Sequence, residues 1–93
     1  MSRPALAMQE ILEGLDVIDI DAAARQKVRL LVGAIATAHG FEWIERATRI
    51  ASARDLLRLR VPRPVVRDRL MALYGISRPQ AYRIISNALQ TVS

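Results

Sequence analysis

The side chains with the most capacity for chemistry in this chain are guanidiniums, and they are unevenly placed. Thirteen of the fourteen basic residues are arginines, Lys27 being the exception. Residues 41–93 hold ten arginines against Glu42, Glu45, Asp55 and Asp68, whereas residues 1–40 hold Arg3, Arg25, Lys27 and Arg29 against five acids. A guanidinium presents a planar fork of N–H donors that matches two phosphate oxygens or the acceptor edge of guanine. A polyanionic partner is therefore expected. An arginine-rich coding bias would decorate solvated helix faces throughout; it does not explain an excess confined to one half.

Other chemistries find little material. There is no glycine-rich phosphate loop, no His–carboxylate motif and no cysteine. Ser52, Ser77, Ser86 and Ser93 have no histidine near them in sequence, and the acids cluster only where helix capping explains them. His39, the lone histidine, has no second ligand at metal-site spacing and reads as a side chain near a helix end. The expectation is a protein that is not an enzyme and takes no cofactor, metal or small-molecule ligand. Lack of cysteine suits a reducing cytoplasm. No apolar run reaches the roughly 18 residues of a membrane span, and Met1-Ser2-Arg3-Pro4 does not open a secretion signal. A cytoplasmic protein with no membrane association is expected.

The positioning elements follow from periodicity. Ninety-three residues, 52% of them hydrophobic but only 4% aromatic, predict one compact all-α domain with a core of Ala, Val, Ile and Leu. Residues 4–13 place Leu6, Met8, Ile11 and Leu12 on one side of a short helix, with Gly14 as its stop. Residues 15–21 alternate acids and aliphatics; with no partner strand in a helical domain they read as a linker whose acids favour the next helix start. That helix is expected from about Ala22 to Ala38, with Val28, Leu31, Val32 and Ile35 inward and Gly40 closing it. Phe41 and Trp43 read as core anchors. A further helix from Glu42 to about Arg60 turns Ile44, Ala47, Ile50, Ala51, Leu56, Leu57 and Leu59 inward, and Val61-Pro62 ends it because the residue before proline leaves the α region.

The stretch from Pro62 to Gln90 is the one the rest of the chain is organised around. Val65, Val66, Leu70 and Leu73, then Ala81, Ile84, Ile85 and Leu89, mark two short helices separated by Tyr74-Gly75-Ile76-Ser77. Gly75 can adopt the left-handed conformation that ends a helix. Ser77 can cap the next helix, with Gln80 where a capping box wants Glu or Gln, and Pro79 lies in the first turn. An echo at an offset of fifteen residues, Val61-Pro62-Arg63-Pro64 against Ile76-Ser77-Arg78-Pro79, predicts helices of similar length over 42–60, 63–74 and 78–90.

The run Tyr74-Gly75-Ile76-Ser77-Arg78-Pro79-Gln80-Ala81-Tyr82-Arg83-Ile84-Ile85 resembles the turn and recognition helix of bacterial and phage helix-turn-helix DNA-binding proteins. It departs from them at Met71, where that superfamily commonly has Ala. The resemblance implies a tri-helical helix-turn-helix core at the C-terminus, residues 41–93, preceded by one or two helices in residues 1–40 for packing or dimerisation. It further implies double-stranded DNA as the partner. Ser77, Arg78, Gln80, Tyr82, Arg83 and Asn87 become base-reading candidates: Arg78 and Arg83 for guanine, Gln80 for adenine. Tyr82 also suits the phosphate backbone, as does Ser86, and Arg63, Arg67 and Arg69 are phosphate candidates on the preceding helix. A single such module reads about half a turn of DNA, so a homodimer joined through residues 4–40 is expected. The closest functional class is a small phage- or plasmid-type transcriptional regulator. A small-terminase-like DNA-packaging protein is an alternative, although those usually place the motif before the oligomerisation region. A helix-turn-helix-derived protein-interaction module is another.

Overall fold

A computed structural model describes residues 3–92. Met1, Ser2 and Ser93, used above for the leader and the serine survey, lie outside the described residues. The described residues are all-α, with five helices and no strand: α1 (Arg3–Leu15), α2 (Ala22–Ala38), α3 (Glu42–Arg58), α4 (Arg63–Tyr74) and α5 (Arg78–Val92). None of these helices is long and apolar enough to cross a membrane. The chain divides into two compact units, Met1–Thr48 and Arg49–Ser93, so the division falls within α3.

In the first unit, Ala5, Val32, Ala36 and Ile44 form the buried cluster, with Met8, Leu12, Val28 and Phe41 against it. Asp21 starts α2, its carboxylate accepting from the Ala24 amide at 2.7 Å, as the acidic linker led one to expect. Two donor–acceptor pairs finish the helix: the Phe41 amide reaches the Ala36 carbonyl at 2.7 Å and the Gly40 amide reaches Thr37 at 3.0 Å. This closure puts its middle residue in the left-handed region, and Gly40 takes φ 81° there.

Several phase assignments in this unit need correcting. Leu6 and Ile11 are exposed, α1 instead packing through Ala5, Met8 and Leu12. Gly14 does not stop α1, which continues through Leu15. Leu31 is 61% exposed and Ile35 is also exposed, whereas Arg29 on the same helix is buried at 1%. The cause is a close helix approach. A Cβ at Gly33 would lie 3.1 Å from Thr48 Oγ1 and 3.4 Å from Glu45 Cγ. Seating the glycine against α3 turns Arg29, Val32 and Ala36 inward and rotates Leu31 and Ile35 away. Arg29 reaches Asp16 in the linker at 2.8 Å. Trp43 is not a core anchor, being 40% exposed, and Ala47 is exposed too; fully buried Thr48 donates its hydroxyl to the Glu45 carbonyl at 2.6 Å.

The second unit is more regular. Ala53, Leu56, Val66, Leu70, Ile76, Ala81, Ile85 and Ala88 are buried together, and Ile50, Leu57, Met71, Tyr74, Ile84 and Leu89 pack against them. Alanines at three contact positions let backbones approach closely, while full burial of Val66 or Leu70 contributes about 1.5–3 kcal/mol each. Val65 and Leu59, expected inward, are exposed. Nor does the residue before Pro62 end α3. The helix finishes at Arg58, and the chain turns at Arg60, φ 62°, where Val61 N–H reaches Leu56 and Arg60 N–H reaches Leu57.

Candidate nucleic-acid interface

The interface is built outward from a tight turn. The Gly75 amide donates to the Met71 carbonyl at 2.9 Å, and Gly75 sits at φ 62°, ψ 30°, closing α4 in the left-handed conformation. Ile76 then drops into the core. Ser77 and Gln80 cap α5 reciprocally: the Ser77 amide donates to Gln80 Oε1 at 3.1 Å, and the Gln80 amide approaches Ser77 Oγ at 3.4 Å. Ser77 Oγ also lies 3.3 Å from Gln80 Oε1. Two otherwise orphaned amides are thereby satisfied. Reading adenine bidentately takes both the oxygen and the nitrogen of an amide. Here the Gln80 oxygen is committed to the cap.

Along α5, Ala81, Ile85 and Ala88 are buried at spacings of four and three, with Ile84 and Leu89 half-buried beside them. That fixes the opposite face. Arg83, Ser86, Asn87 and Gln90 recur on it at three- and four-residue steps, all exposed. Arg78 is exposed at the first helical position, followed by Pro79. Gln90 is the one polar residue on this stripe that the sequence reading left out; its position seven residues after Arg83 carried the signal.

Tyr82 occupies the flank of α5 that faces α4. Tyr82 is 42% exposed. Arg67 Nη1 donates to the Tyr82 hydroxyl at 2.9 Å, and the guanidinium carbon stands 5.7 Å from the ring centroid. Arg67 Nε donates to Asp68 Oδ1 at 2.8 Å. Hydrogen bonds to Asp68 and then to Tyr82 raise the Arg67 pKa above its ordinary value. The same bond from Arg67 holds the Asp68 carboxyl below the usual carboxylate range, helped by the charges of Arg67 and Arg78. Arg67, half-buried, thus bridges two helices, whereas Arg63 and Arg69 are exposed on α4.

The Arg67–Tyr82 pair spans fifteen residues, the offset of the sequence echo. Other pairs at that offset, Val66 with Ala81 and Leu70 with Ile85, are buried together. The echo therefore marks equivalent faces of α4 and α5, which its brevity at the level of sequence did not disclose. Behind them, Ser52 Oγ and the Tyr74 hydroxyl lie 2.6 Å apart, and Arg49 stands 5.6 Å from the Tyr74 ring centroid, fastening the end of α4 to α3. Among the described residues, no group of three or more His, Cys, Asp or Glu side chains is arranged to hold a metal ion.

No family model matches the chain, and neither a curated protein nor a solved structure matches it either, so the functional reading rests on its own residues.

Proposed function

We propose that this protein is a sequence-specific double-stranded DNA-binding protein, acting in the cytoplasm as a transcriptional regulator. The second half of α3 with α4 and α5 is its helix-turn-helix, and α5 enters the major groove. The supporting observation is the combination at Gly75. A left-handed turn, closed by a capping box, leads into a helix whose buried side is Ala81, Ile85 and Ala88 and whose outer side is Arg83, Ser86, Asn87 and Gln90.

Within the candidate set the roles divide by what each side chain already does. Arg83 and Asn87, on the outer stripe, are the base readers, with Arg78 at the groove entrance. Ser77 and Gln80 act chiefly as the cap that aims the helix. Arg63, Arg69 and Ser86 contact backbone phosphates, and Arg67 with Tyr82 keeps α4 and α5 in register while facing the same strand. The protein acts as a homodimer through its N-terminal helices, since one helix reads only about half a turn.

The test is selection of bound fragments from random and genomic DNA at two salt concentrations. A recovered motif with dyad symmetry, and affinity that falls as salt rises, is the expected result. Salt-sensitive binding without any preferred sequence would replace regulation by packaging or coating. No binding at low salt would favour a protein partner.

A further inference from the structure

We propose that Arg67, steadied by Tyr82, is a seat for one backbone phosphate, and that Asp68 fills this seat in the free protein as an internal stand-in anion. This rests on the DNA-binding reading above. The geometry begins with Arg67. Tyr82 holds it at Nη1 through the hydroxyl (2.9 Å) and lies under the guanidinium with its ring, 5.7 Å from the guanidinium carbon. Asp68 holds Nε at 2.8 Å. A guanidinium offers a side-on fork formed by Nε and Nη2, the edge that takes two oxygens of a carboxylate or phosphate. Tyr82 sits clear of that edge, and Asp68 sits on it.

The pair contributes little to stability. Asp68 is 64% exposed, and neighbours in sequence on a helix do not naturally face one another. The Arg67 side chain, however, is only 15% exposed and is held at three points. A long side chain usually loses rotamer freedom on gripping an anion; here the loss has already occurred. An arriving phosphate exchanges with the Asp68 carboxylate, keeping Tyr82 on Nη1. One consequence is a cost imposed on every sequence alike: the resident anion must leave before the phosphate enters. Asp68 therefore lowers affinity for DNA in general.

The experiment titrates labelled specific and scrambled duplexes with the full chain across a salt series. Four proteins are compared with wild type: Asp68→Asn, Arg67→Ala, the double variant Arg67→Ala/Asp68→Asn, and Glu42→Gln, which removes the same charge at an exposed position on α3. Circular dichroism verifies that each is folded. Asp68→Asn is expected to bind both duplexes about 3–10-fold more tightly near 50 mM salt, with a salt slope close to that of wild type because the same phosphate is neutralised in both. Glu42→Gln should change affinity less than about twofold, and Arg67→Ala should abolish the gain from Asp68→Asn. Unchanged or weaker binding by Asp68→Asn overturns the seat, as does a gain that persists in the double variant or is matched by Glu42→Gln. Failure of both wild type and Asp68→Asn to bind any duplex overturns the DNA-binding reading and the seat with it; an inert Asp68→Asn beside a wild type that binds overturns the seat alone.

Discussion

The two units of this protein bury different things. The unit ending at Thr48 places the guanidinium of Arg29 inside and leaves Leu6, Ile11, Leu31 and Ile35 exposed. The unit beginning at Arg49 builds an all-aliphatic cluster, sends most of its arginines outward and sets Arg49 and Arg67 against tyrosine rings. The contrast shows what decides helix phase. In α5 the apolar residues lie on one side, so hydrophobic burial alone settles the rotation. In α2 they occur on several sides, and close contact between Gly33 and Thr48 decides instead. That contact brings an arginine inward, and Asp16 supplies its counter-charge.

The sharpest way to break this contrast is to remove Arg29. Arg29→Ala deletes a long buried side chain and separates it from Asp16, and should cost about 2–4 kcal/mol in urea unfolding. Asp16 is itself partly solvated, which keeps the figure below that of a fully buried pair. Arg29→Met, similar in length and uncharged, should recover more than half of the loss. A shift under about 0.5 kcal/mol for Arg29→Ala, the size typical of a surface substitution, would mean that the buried guanidinium contributes little and that the two units are less different than they look.

Legibility in the sequence divides along the same line. The bounds of α2 and α4 could be read closely, because Asp21, Gly40, the proline pairs and Gly75 are local signals that act within one turn. The exposed face of α5 was legible for the same reason that its packing is simple. Phase in α2 was not, because a glycine meeting a threonine fifteen residues away leaves no periodic trace. Likewise, Ser52 is buried where α3 meets the Tyr74 hydroxyl and Thr48 where α3 meets Gly33, Thr48 returning its hydroxyl to the Glu45 carbonyl of its own helix, and composition announces neither. Arg67 falls between: its charge marked it for phosphate, but its grip on Tyr82 appears only when α4 and α5 are brought together.

On the proposed interface, the comparison becomes one between outer stripe and flank. Arg83→Ala removes a base-reading fork and should weaken the preferred site by about 1–3 kcal/mol relative to scrambled DNA. Arg63→Ala should weaken both duplexes equally and lower the salt slope by about one. Equal losses on both duplexes for Arg83→Ala would remove it from the reading set.

The turn that aims α5 is tested by Gly75→Val. A Cβ placed there meets nothing within 4 Å beyond its chain neighbours, so the expected penalty is chiefly conformational. A β-branched residue at φ 62° should cost about 1–3 kcal/mol. An unchanged melting temperature would show that Gly75 is not held in the left-handed region, and the proposed motif would lose its main support.

The smallest effect discriminates most finely, because the same closure occurs once in each unit with a different residue at its centre. After α2, Gly40 is flanked by the bonds from Phe41 to Ala36 and from Gly40 to Thr37; after α3, Arg60 is flanked by those from Val61 to Leu56 and from Arg60 to Leu57. Both central residues have positive φ, 81° and 62°. Glycine adopts this conformation freely, whereas a residue with a Cβ is strained by about 1 kcal/mol or somewhat more. Glycine also has a more flexible unfolded chain, which offsets part of any gain. Arg60→Gly should therefore stabilise the protein by about 0.5–1 kcal/mol, and Gly40→Ala should destabilise it by a similar or larger amount. Arg60→Ala separates backbone from side chain: it retains the Cβ, and so should leave stability close to wild type if strain is the cause. Chemical denaturation of the three variants decides the matter. Destabilisation by both Arg60→Gly and Arg60→Ala would mean that the guanidinium itself makes a stabilising contact, and that this turn, unlike its counterpart at Gly40, holds its residue for the side chain rather than in spite of it.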